Sequence, residues 1–221
     1  SSWYVSTAGS DIQGCGSQGS PLATIQAGIN SASAGDTVTV AAGTYVENIT
    51  WPAINGIKLI GADRETTIID GGGLYQYDGA VVTFDGQNGY INSTAVLSGF
   101  TIRNGNTGYG GGIYMANSVS KLTRVLISGN KANQNGGGLR LDESVPEFLN
   151  VTIAANMGVD GGGVFVSNMF DNGEVTFVNS IIWGNDNYQL SFVEDNSYSR
   201  IHFGYTVVQN GVLGINNYGG Y

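Results

Sequence analysis

Apolar and polar side chains alternate along most of this chain in short runs. The clearest runs carry an apolar residue at every second position: Ile113 and Met115, Leu139 and Leu141, Val164 and Val166, and Leu190 and Phe192. A period of two is typical of a β-strand with one buried face. The pattern predicts short strands, and within one unit it places them near 113–116, 120–125 and 126–129.

Two motifs recur along the same stretch with a common period. Three glycines followed by an apolar residue place Ile113, Leu139 and Val164 at steps of 26 and 25 residues, and the step continues without glycines to Leu190 and Ile215. An apolar residue followed three positions later by Asn recurs as well: Ile127 with Asn130, Ile153 with Asn156, Ile182 with Asn185 and Val207 with Asn210. Repeats of this length indicate a solenoid, in which each unit buries its apolar face against its neighbours.

Strands, turns and repeat length together predict an all-β fold, a right-handed single-stranded parallel β-helix of about seven coils. Ile113, Leu139, Val164 and Leu190 are then expected to form one interior stack. Residues 1–221 are interpreted as a single domain, with the coils spanning 37–221. We interpret 1–36 as an opening strand, a loop and a short capping helix.

The helix is predicted within 21–34, where Leu22, Ile25 and Ile29 fall at helical spacing. About three turns are expected. Its predicted role is to cover the N-terminal end of the solenoid, because terminal repeats expose strand edges.

Composition narrows the classes of partner. The net charge of −9 argues against nucleic acid and against anionic membrane surfaces. No apolar run approaches the ~18 residues that membrane insertion needs. Richness in Gly, Asn, Ser and Thr with little Lys suits a secreted or surface-displayed bacterial protein. Cys15 is the single cysteine, so an intrachain disulfide is impossible, and its role is open.

Residues 21–71 resemble the N-terminal cap and first coils of pectin-lyase-like right-handed β-helix proteins. The resemblance is carried by four segments in order: Thr24–Ile29, Gly35–Val40, Gly43–Ile49 and Thr67–Gly71. The later Gly-Gly-Gly-Ile and Ile-x-x-Asn repeats resemble those of polymorphic outer-membrane proteins and related surface adhesins. These resemblances imply a fold more than an activity.

The catalytic sets of related enzymes are missing from the sequence. Gly43-x-Tyr45-x-Glu47 is similar to the first motif of pectin methylesterases, but the Gln-Asp and Asp-Phe motifs that carry catalysis there are absent. The Asp-Asp and His-Gly pairs of polygalacturonases are absent as well, since Phe203 follows His202, the sole histidine. The acidic pairs 142–143 and 194–195 are interpreted as solvated turn residues. Catalytic residues are therefore not assigned.

One alternative places chemistry on the outer face of a sheet. Pectate and alginate lyases of this fold use calcium with an Arg or Lys base there, and Arg140 and Asp142 occupy outward positions two residues apart. A calcium cluster normally gathers several oxygen ligands. No metal site is predicted, and calcium is the one cofactor left open.

If the repeat aligns as predicted, one outward column contains Tyr114, Arg140, Phe165 and Ser191. Aromatic rings beside a guanidinium suit a sugar ring or a partner loop, so Tyr114, Arg140 and Phe165 are the predicted ligand-binding residues. An ordinary solvent-facing strand is the competing interpretation.

Two further sets of aligned residues are interpreted as structural. The asparagines of the second motif are expected to form turn ladders that satisfy backbone groups. Gly99, Arg124, Asn150, Asn179 and Gly204 form another aligned turn position. Thr101, Thr152 and Thr206 share a position, but Leu126 and Ile181 interrupt the regular Thr ladder that ice binding would need.

The sequence thus favours a non-catalytic secreted or surface module, acting as a spacer, an adhesin or a glycan-contacting segment. Its partner would be a polysaccharide or another surface protein, and the oligomeric state is open. The alternative is a polysaccharide lyase or hydrolase acting on uronate-type polymers, with Arg140 and Asp142 in its site. Ice binding is a third hypothesis.

Overall fold

The computed structural model describes residues 1–13, 16–76, 79–169, 173–193 and 200–217. In these segments the chain runs through three sheets in a repeating order, and every pair of neighbouring strands in them is parallel. Each coil contributes one strand to each sheet, which is the arrangement of a parallel β-helix. The predicted fold class is confirmed at this level.

The sheets are numbered in the order in which a coil visits them, and they contain eight, seven and seven strands. Sheet 1 contains β1 (Ser2–Val5), β2 (Thr37–Val40), β5 (Lys58–Gly61), β8 (Val96–Ser98), β12 (Lys121–Thr123), β16 (Glu147–Leu149), β19 (Glu174–Val178) and β22 (Arg200–Gly204). Sheet 2 contains β3 (Gly43–Val46), β6 (Thr67–Asp70), β9 (Thr101–Arg103), β13 (Leu126–Ser128), β17 (Thr152–Ala154), β20 (Ile181–Trp183) and β23 (Val207–Val208). Sheet 3 contains β4 (Ile49–Trp51), β7 (Val82–Asp85), β11 (Ile113–Ala116), β15 (Leu139–Asp142), β18 (Val164–Val166), β21 (Leu190–Phe192) and β24 (Ile215–Asn217).

Two short strands, β10 (Asn106–Thr107) and β14 (Lys131–Ala132), pair beside the main sheets. A 3-10 helix spans Gly211–Gly214. Strands β11, β12 and β13 match the predicted segments 113–116, 120–125 and 126–129 to within two residues. Among the described residues, no helix is long and apolar enough to cross a membrane.

The predicted interior stack is present in sheet 3. Ile113 pairs with Leu139, Leu139 with Val164 and Val164 with Leu190, and none of these side chains is exposed. Burial of each such side chain contributes about 1.5–3 kcal/mol. Sheet 1 adds an aromatic stack, in which the rings of Phe148 and Phe177 lie 4.5 Å apart.

Helix α1 (Ile25–Ser31) is shorter than predicted, at seven residues. Thr24 caps it by accepting a hydrogen bond from the N–H of Ala27, so the helix begins there and not near residue 21. Leu22 lies outside the helix and bridges to Val5 of β1. Ile25 and Ile29 are buried against the first strands, as their helical spacing predicts.

Each of the three glycine positions in a repeat requires glycine for its own reason, as residues 136–138 show. Gly136 has φ +70°, in the left-handed region that favours glycine. A Cβ on Gly137 would lie 2.2 Å from the carbonyl oxygen of Met157, and one on Gly138 would lie 2.8 Å from Nδ2 of Asn156. The motif therefore marks a tight turn that packs directly on the next coil.

The asparagine ladder is confirmed for Asn130, Asn156 and Asn185, all of which are buried. Each of the first two donates from both its backbone N–H and its Nδ2 to Oδ1 of the asparagine on the next coil, at 3.0–3.1 Å. Asn185 donates in the same way to Oε1 of Gln189. The ladder stops there: Asn210 is exposed, so its predicted membership is wrong.

The last described coil is shifted by one residue from the predicted alignment. Val178 pairs with Gly204 and Ile181 with Val207, so Tyr205 takes the left-handed turn position expected for Gly204, with φ 50°. Thr206 accordingly drops out of the Thr column, which runs through Thr101, Leu126, Thr152, Ile181 and Val207. Strands β19 and β22 pair in unbroken register, which aligns Asn179 with Tyr205. This step is 26 residues, one more than the predicted step from Asn179 to Gly204.

Candidate functional site

The outer face of sheet 3 carries the predicted column in register. Backbone pairing aligns Thr50, Thr83, Tyr114, Arg140, Phe165 and Ser191 on six successive strands. Alternation directs these side chains away from the interior, because their neighbours along each strand fill the core. The sequence therefore placed the column correctly.

Two side chains of the outward column are buried, although the sequence suggested that the whole column faces solvent. Phe165 is only 5% exposed and Ser191 is fully buried, so neither is part of an open surface. The triglycine turns cover this part of the sheet: a Cβ on Gly161 would lie 3.2 Å from the Cα of Phe165. Phe165, one of the three predicted ligand-binding residues, is therefore buried, and its ring lies 5.4 Å from the Arg140 guanidinium.

A second outward column runs two residues further along the same strands. It aligns Asp85 of β7, Ala116 of β11 and Asp142 of β15. Two carboxylates thus face the same side of the sheet on either side of a small residue. The interpretation of Asp142 as a solvated turn residue is wrong, because Asp142 is the last residue of strand β15. The other acidic pair, Glu194 and Asp195, lies outside the described residues.

Arg140 and Asp142 form a two-point ion pair. Nε of Arg140 donates to Oδ2 of Asp142 at 2.9 Å, and its Nη2 donates to Oδ1 at 3.1 Å. The hydroxyl of Tyr114 donates to the same Oδ2 at 2.8 Å. Both side chains of the pair are mostly covered, at 16% and 21% exposure, so the pair is well shielded from water. The guanidinium is thereby fixed, because Arg matches a carboxylate in this forked geometry.

These contacts set the ionisation of the cluster. Burial is the largest influence on the pKa of Asp142 and raises it, but the hydrogen bonds and charge of Arg140, with bonds from Ser167 and Tyr114, hold that pKa below its ordinary value. Burial, reinforced by the hydrogen bond to Asp142 and its charge, raises the pKa of Tyr114 to about 12. At neutral pH Asp142 is therefore a carboxylate and Tyr114 a neutral phenol.

Tyr109 completes the site and was missed in the sequence. Its ring lies 4.7 Å from the Arg140 guanidinium, within the range of a cation–π contact, and the side chain is 45% exposed. It immediately precedes the triglycine turn 110–112, where a Cβ on Gly110 would lie 3.0 Å from Cβ of Tyr114. An aromatic residue before a turn that packs on an Arg-bearing strand was the available signal.

Together these residues line a groove of about 510 Å³. The lining consists of Thr50, Gly79, Ala80, Thr83, Asp85, Gln87, Tyr109, Tyr114, Arg140 and Asp142. The groove brings three of the predicted site residues together and leaves Phe165 beneath them. Within the described segments, no group of three or more His, Cys, Asp and Glu side chains could hold a metal ion, so calcium stays a prediction without a site.

Other sequence features have structural positions away from the groove. Glu47, of the Gly-x-Tyr-x-Glu segment, accepts from the backbone N–H groups of Ile25 and Gln26 at the start of helix α1. His202 is exposed on β22, in sheet 1. Cys15 lies outside the described residues.

Comparison with known proteins supports the fold. No protein-family model matches the chain, and no curated protein matches it. Among solved structures, YbhC of Escherichia coli matches with a TM-score of 0.52 and 15% identity over 93% of this chain and 71% of that one. This likeness shows the pectin-lyase-like parallel β-helix fold.

Weaker likenesses extend to a pectin methylesterase and a rhamnogalacturonan lyase. A pectin methylesterase in complex with a hexasaccharide matches with a TM-score of 0.48 and 16% identity, over 91% of this chain and 66% of that one. A rhamnogalacturonan lyase matches with a TM-score of 0.43 and 14% identity, over 94% and 62%. This chain thus spans slightly less than two thirds of the length of both enzymes.

Proposed function

We propose that this protein is a polysaccharide-contacting β-helix module, and that the groove on the outer face of sheet 3 is its contact surface. The observation that carries the proposal is the Tyr109–Arg140–Asp142–Tyr114 cluster in a groove of about 510 Å³. An exposed aromatic ring supplies a flat apolar surface for a sugar ring. Hydroxyl, amide and carboxylate groups around it supply hydrogen bonds for sugar hydroxyls.

The contacts within the cluster favour binding over proton chemistry. Arg140 is held by a carboxylate, and a guanidinium so placed keeps its proton. A lyase mechanism with Arg140 as the base would need that proton to leave. Tyr114 is equally poor as a base, with a pKa of about 12. We therefore place a non-catalytic module ahead of a lyase.

Binding is tested most cleanly at Tyr109, because its ring is exposed and its removal leaves the ion pair beneath intact. A glycan array identifies ligands, and calorimetry then compares wild type with Tyr109→Ala. We expect a loss of affinity of at least about fivefold, from the ~1–3 kcal/mol that a stacked aromatic ring contributes. The control is Tyr205→Ala, since Tyr205 is 92% exposed at the turn between sheets 1 and 2.

Equal affinity in Tyr109→Ala and Tyr205→Ala would remove the groove from the proposal. A double substitution including Phe165 would be less informative, because Phe165 is buried and its loss disturbs packing. Unchanged thermal melting of each variant shows that any loss of binding is local.

A second candidate function is glycoside hydrolysis, favoured by the paired carboxylates of the groove. Asp85 and Asp142 stand two strands apart on one face, so their backbones are separated by roughly 9–10 Å. Inverting glycosidases hold their two carboxyl groups about 6.5–9.5 Å apart. Asp142 is already ionised, as a base must be. Release of reducing ends that disappears in both Asp85→Asn and Asp142→Asn would establish this activity.

The remaining inferences concern the whole chain. We infer that helix α1 closes the N-terminal end of a right-handed solenoid of about seven coils. We also infer a secreted or surface location in a bacterium, which rests on composition and on the resemblance of the repeats to those of surface adhesins. Fractionation of the source cells followed by immunodetection tests the location.

A further inference from the structure

The charged side chains of the groove affect which polysaccharides could bind there. Among the residues that the structure describes, three charged side chains line it, namely Asp85, Arg140 and Asp142. One positive and two negative groups give these described residues a formal charge of −1, on a chain whose net charge is −9. A uronate polymer would bring further negative charge into this field.

Arg140, the one cation in the described part of the groove lining, is already paired with a carboxylate. Arg140 uses the Nε–Nη2 edge of its guanidinium on both oxygens of Asp142, and aromatic rings of Tyr109 and Phe165 lie within 5.4 Å of it. A sugar carboxylate could use the Nε–Nη2 edge only by displacing Asp142, and at the Nη1–Nη2 edge it would meet a guanidinium whose charge Asp142 already balances. That displacement would leave a mostly covered carboxylate without its partner, which is costly.

The carboxylate of Asp85 has no positive partner among the described residues. The one hydrogen bond that it accepts from these residues comes from the backbone N–H of Gln87 to Oδ1, and none of their cationic groups lies within ion-pair distance of it. A free carboxylate accepts hydrogen bonds from neutral sugar hydroxyls and repels acidic sugars. Asp85 therefore acts against uronates and in favour of hydroxyl groups.

The uncharged side chains of the groove lining could form hydrogen bonds with a neutral sugar. The side chains of Thr50, Thr83 and Gln87 make no hydrogen bond with another described residue, although they line the groove. Hydroxyl and amide groups both donate and accept, which matches the hydroxyls of a neutral sugar. Tyr109 adds the exposed ring on which a sugar face can lie.

Building on the proposed function, we infer that the groove binds an uncharged polysaccharide and discriminates against uronate polymers. Selection arises from the Arg140–Asp142 pair, in which the charge of the one cation of the described lining is balanced, and from the carboxylate of Asp85, which has no ion-pair partner among the described residues. Attraction is supplied by neutral hydrogen-bonding groups and one aromatic ring.

The test compares hexasaccharides of equal length by calorimetry in buffer with EDTA. Neutral hexasaccharides of glucose, xylose, mannose and galactose are compared with hexagalacturonate. We expect at least one neutral ligand to bind at least tenfold more tightly than hexagalacturonate. Raising NaCl from about 20 to 200 mM should strengthen hexagalacturonate binding, because salt screens repulsion. The neutral affinity should change less than twofold.

A matched pair of variants isolates Asp85. Asp85→Asn keeps the shape and removes the charge, and it should raise the ratio of hexagalacturonate affinity to neutral affinity at least fivefold. Asp186→Asn, which removes a charge outside the groove lining, should leave this ratio unchanged. An unchanged ratio in Asp85→Asn overturns the selective role of that carboxylate.

The outcomes separate this inference from the proposed function. If hexagalacturonate binds most tightly and Tyr109→Ala abolishes that binding, the groove is a glycan site and the inference of neutral selectivity is wrong. If none of these ligands, nor any glycan on the array, binds in a Tyr109-dependent way, the proposed function fails together with the inference.

Discussion

A methyl group on Gly138 would come within 2.8 Å of Nδ2 of Asn156, so these two residues, which lie on neighbouring coils, are in direct contact. Gly112 and Asn130 stand in the same relationship at 2.8 Å, as do Gly163 and Asn185. The two repeating motifs of the sequence are therefore two sides of a single packing unit. Glycine provides the space, and asparagine fills it with hydrogen bonds.

Gly138→Ala tests this unit directly. The added Cβ would also lie 2.6 Å from the carbonyl oxygen of Gly163, so both the backbone and the ladder must shift. We expect a loss of about 1–3 kcal/mol in the free energy of unfolding, typical of overpacking. Urea denaturation followed by circular dichroism measures it. Gly19→Ala is the control, because nothing lies within 4 Å of a Cβ there.

Asn156→Ala should be more damaging than the glycine change. Its Oδ1 accepts from both the backbone N–H and Nδ2 of Asn130, and its own Nδ2 donates to the carbonyl of Ile127. Each buried group left without a partner costs about 1–3 kcal/mol, so a loss of roughly 3 kcal/mol or more is expected. Asn210→Ala, at an exposed position beyond the ladder, should change the unfolding midpoint little. Equal effects in the two variants would contradict the ladder.

The Arg140–Asp142 pair predicts a dependence of stability on acid pH. A folded-state pKa below the ordinary value means that Asp142 stabilises the fold above about pH 4, and that this contribution is lost as the pH falls through the folded pKa. At pH 7, Asp142→Asn should cost roughly 1–3 kcal/mol. The difference from wild type should shrink steadily below about pH 4, which urea titrations at several pH values measure.

The control for that pair is the exposed ion pair of Lys121 and Glu147, whose side chains are both 43% exposed. Exposed pairs contribute about 0–1 kcal/mol, so Glu147→Gln should barely alter stability or its pH profile. A flat difference between wild type and Asp142→Asn from pH 7 to pH 2.5 would contradict the depressed pKa.

Trp51 offers a test of an unpaired donor. Its ring is fully buried and stacks on Phe84 at 4.9 Å, but its Nε1 finds no hydrogen-bond partner among the described residues. Trp51→Phe removes apolar contact and also removes the unsatisfied N–H, so we expect a change of less than about 1 kcal/mol. Trp51→Ala should cost about 3–5 kcal/mol. A loss in Trp51→Phe as large as that in Trp51→Ala would show that Nε1 has a partner.

The sequence by itself determined the strands, their stacking and the outward column. Period-two alternation fixes which side chains face inward, and a repeat near 25 residues requires neighbouring coils to stack. Ile113, Leu139, Val164 and Leu190 therefore had to align, and Tyr114 and Arg140 had to align beside them. Both patterns are local and depend only on strand geometry and on a constant coil length.

Only the tertiary structure decided what the column can contact. Turns between coils cover Phe165, bring Tyr109 over Arg140 and leave Asp85 and Asp142 facing one groove. Periodicity does not encode the path of a turn, and in the coil of Asp85 the three glycines at 71–73 do not directly precede the strand. The register between β19 and β22 likewise aligned the last described coil one residue later than predicted. Coil length is thus readable from the chain, whereas the covering of one coil by its neighbour's turns depends on packing between residues far apart in sequence.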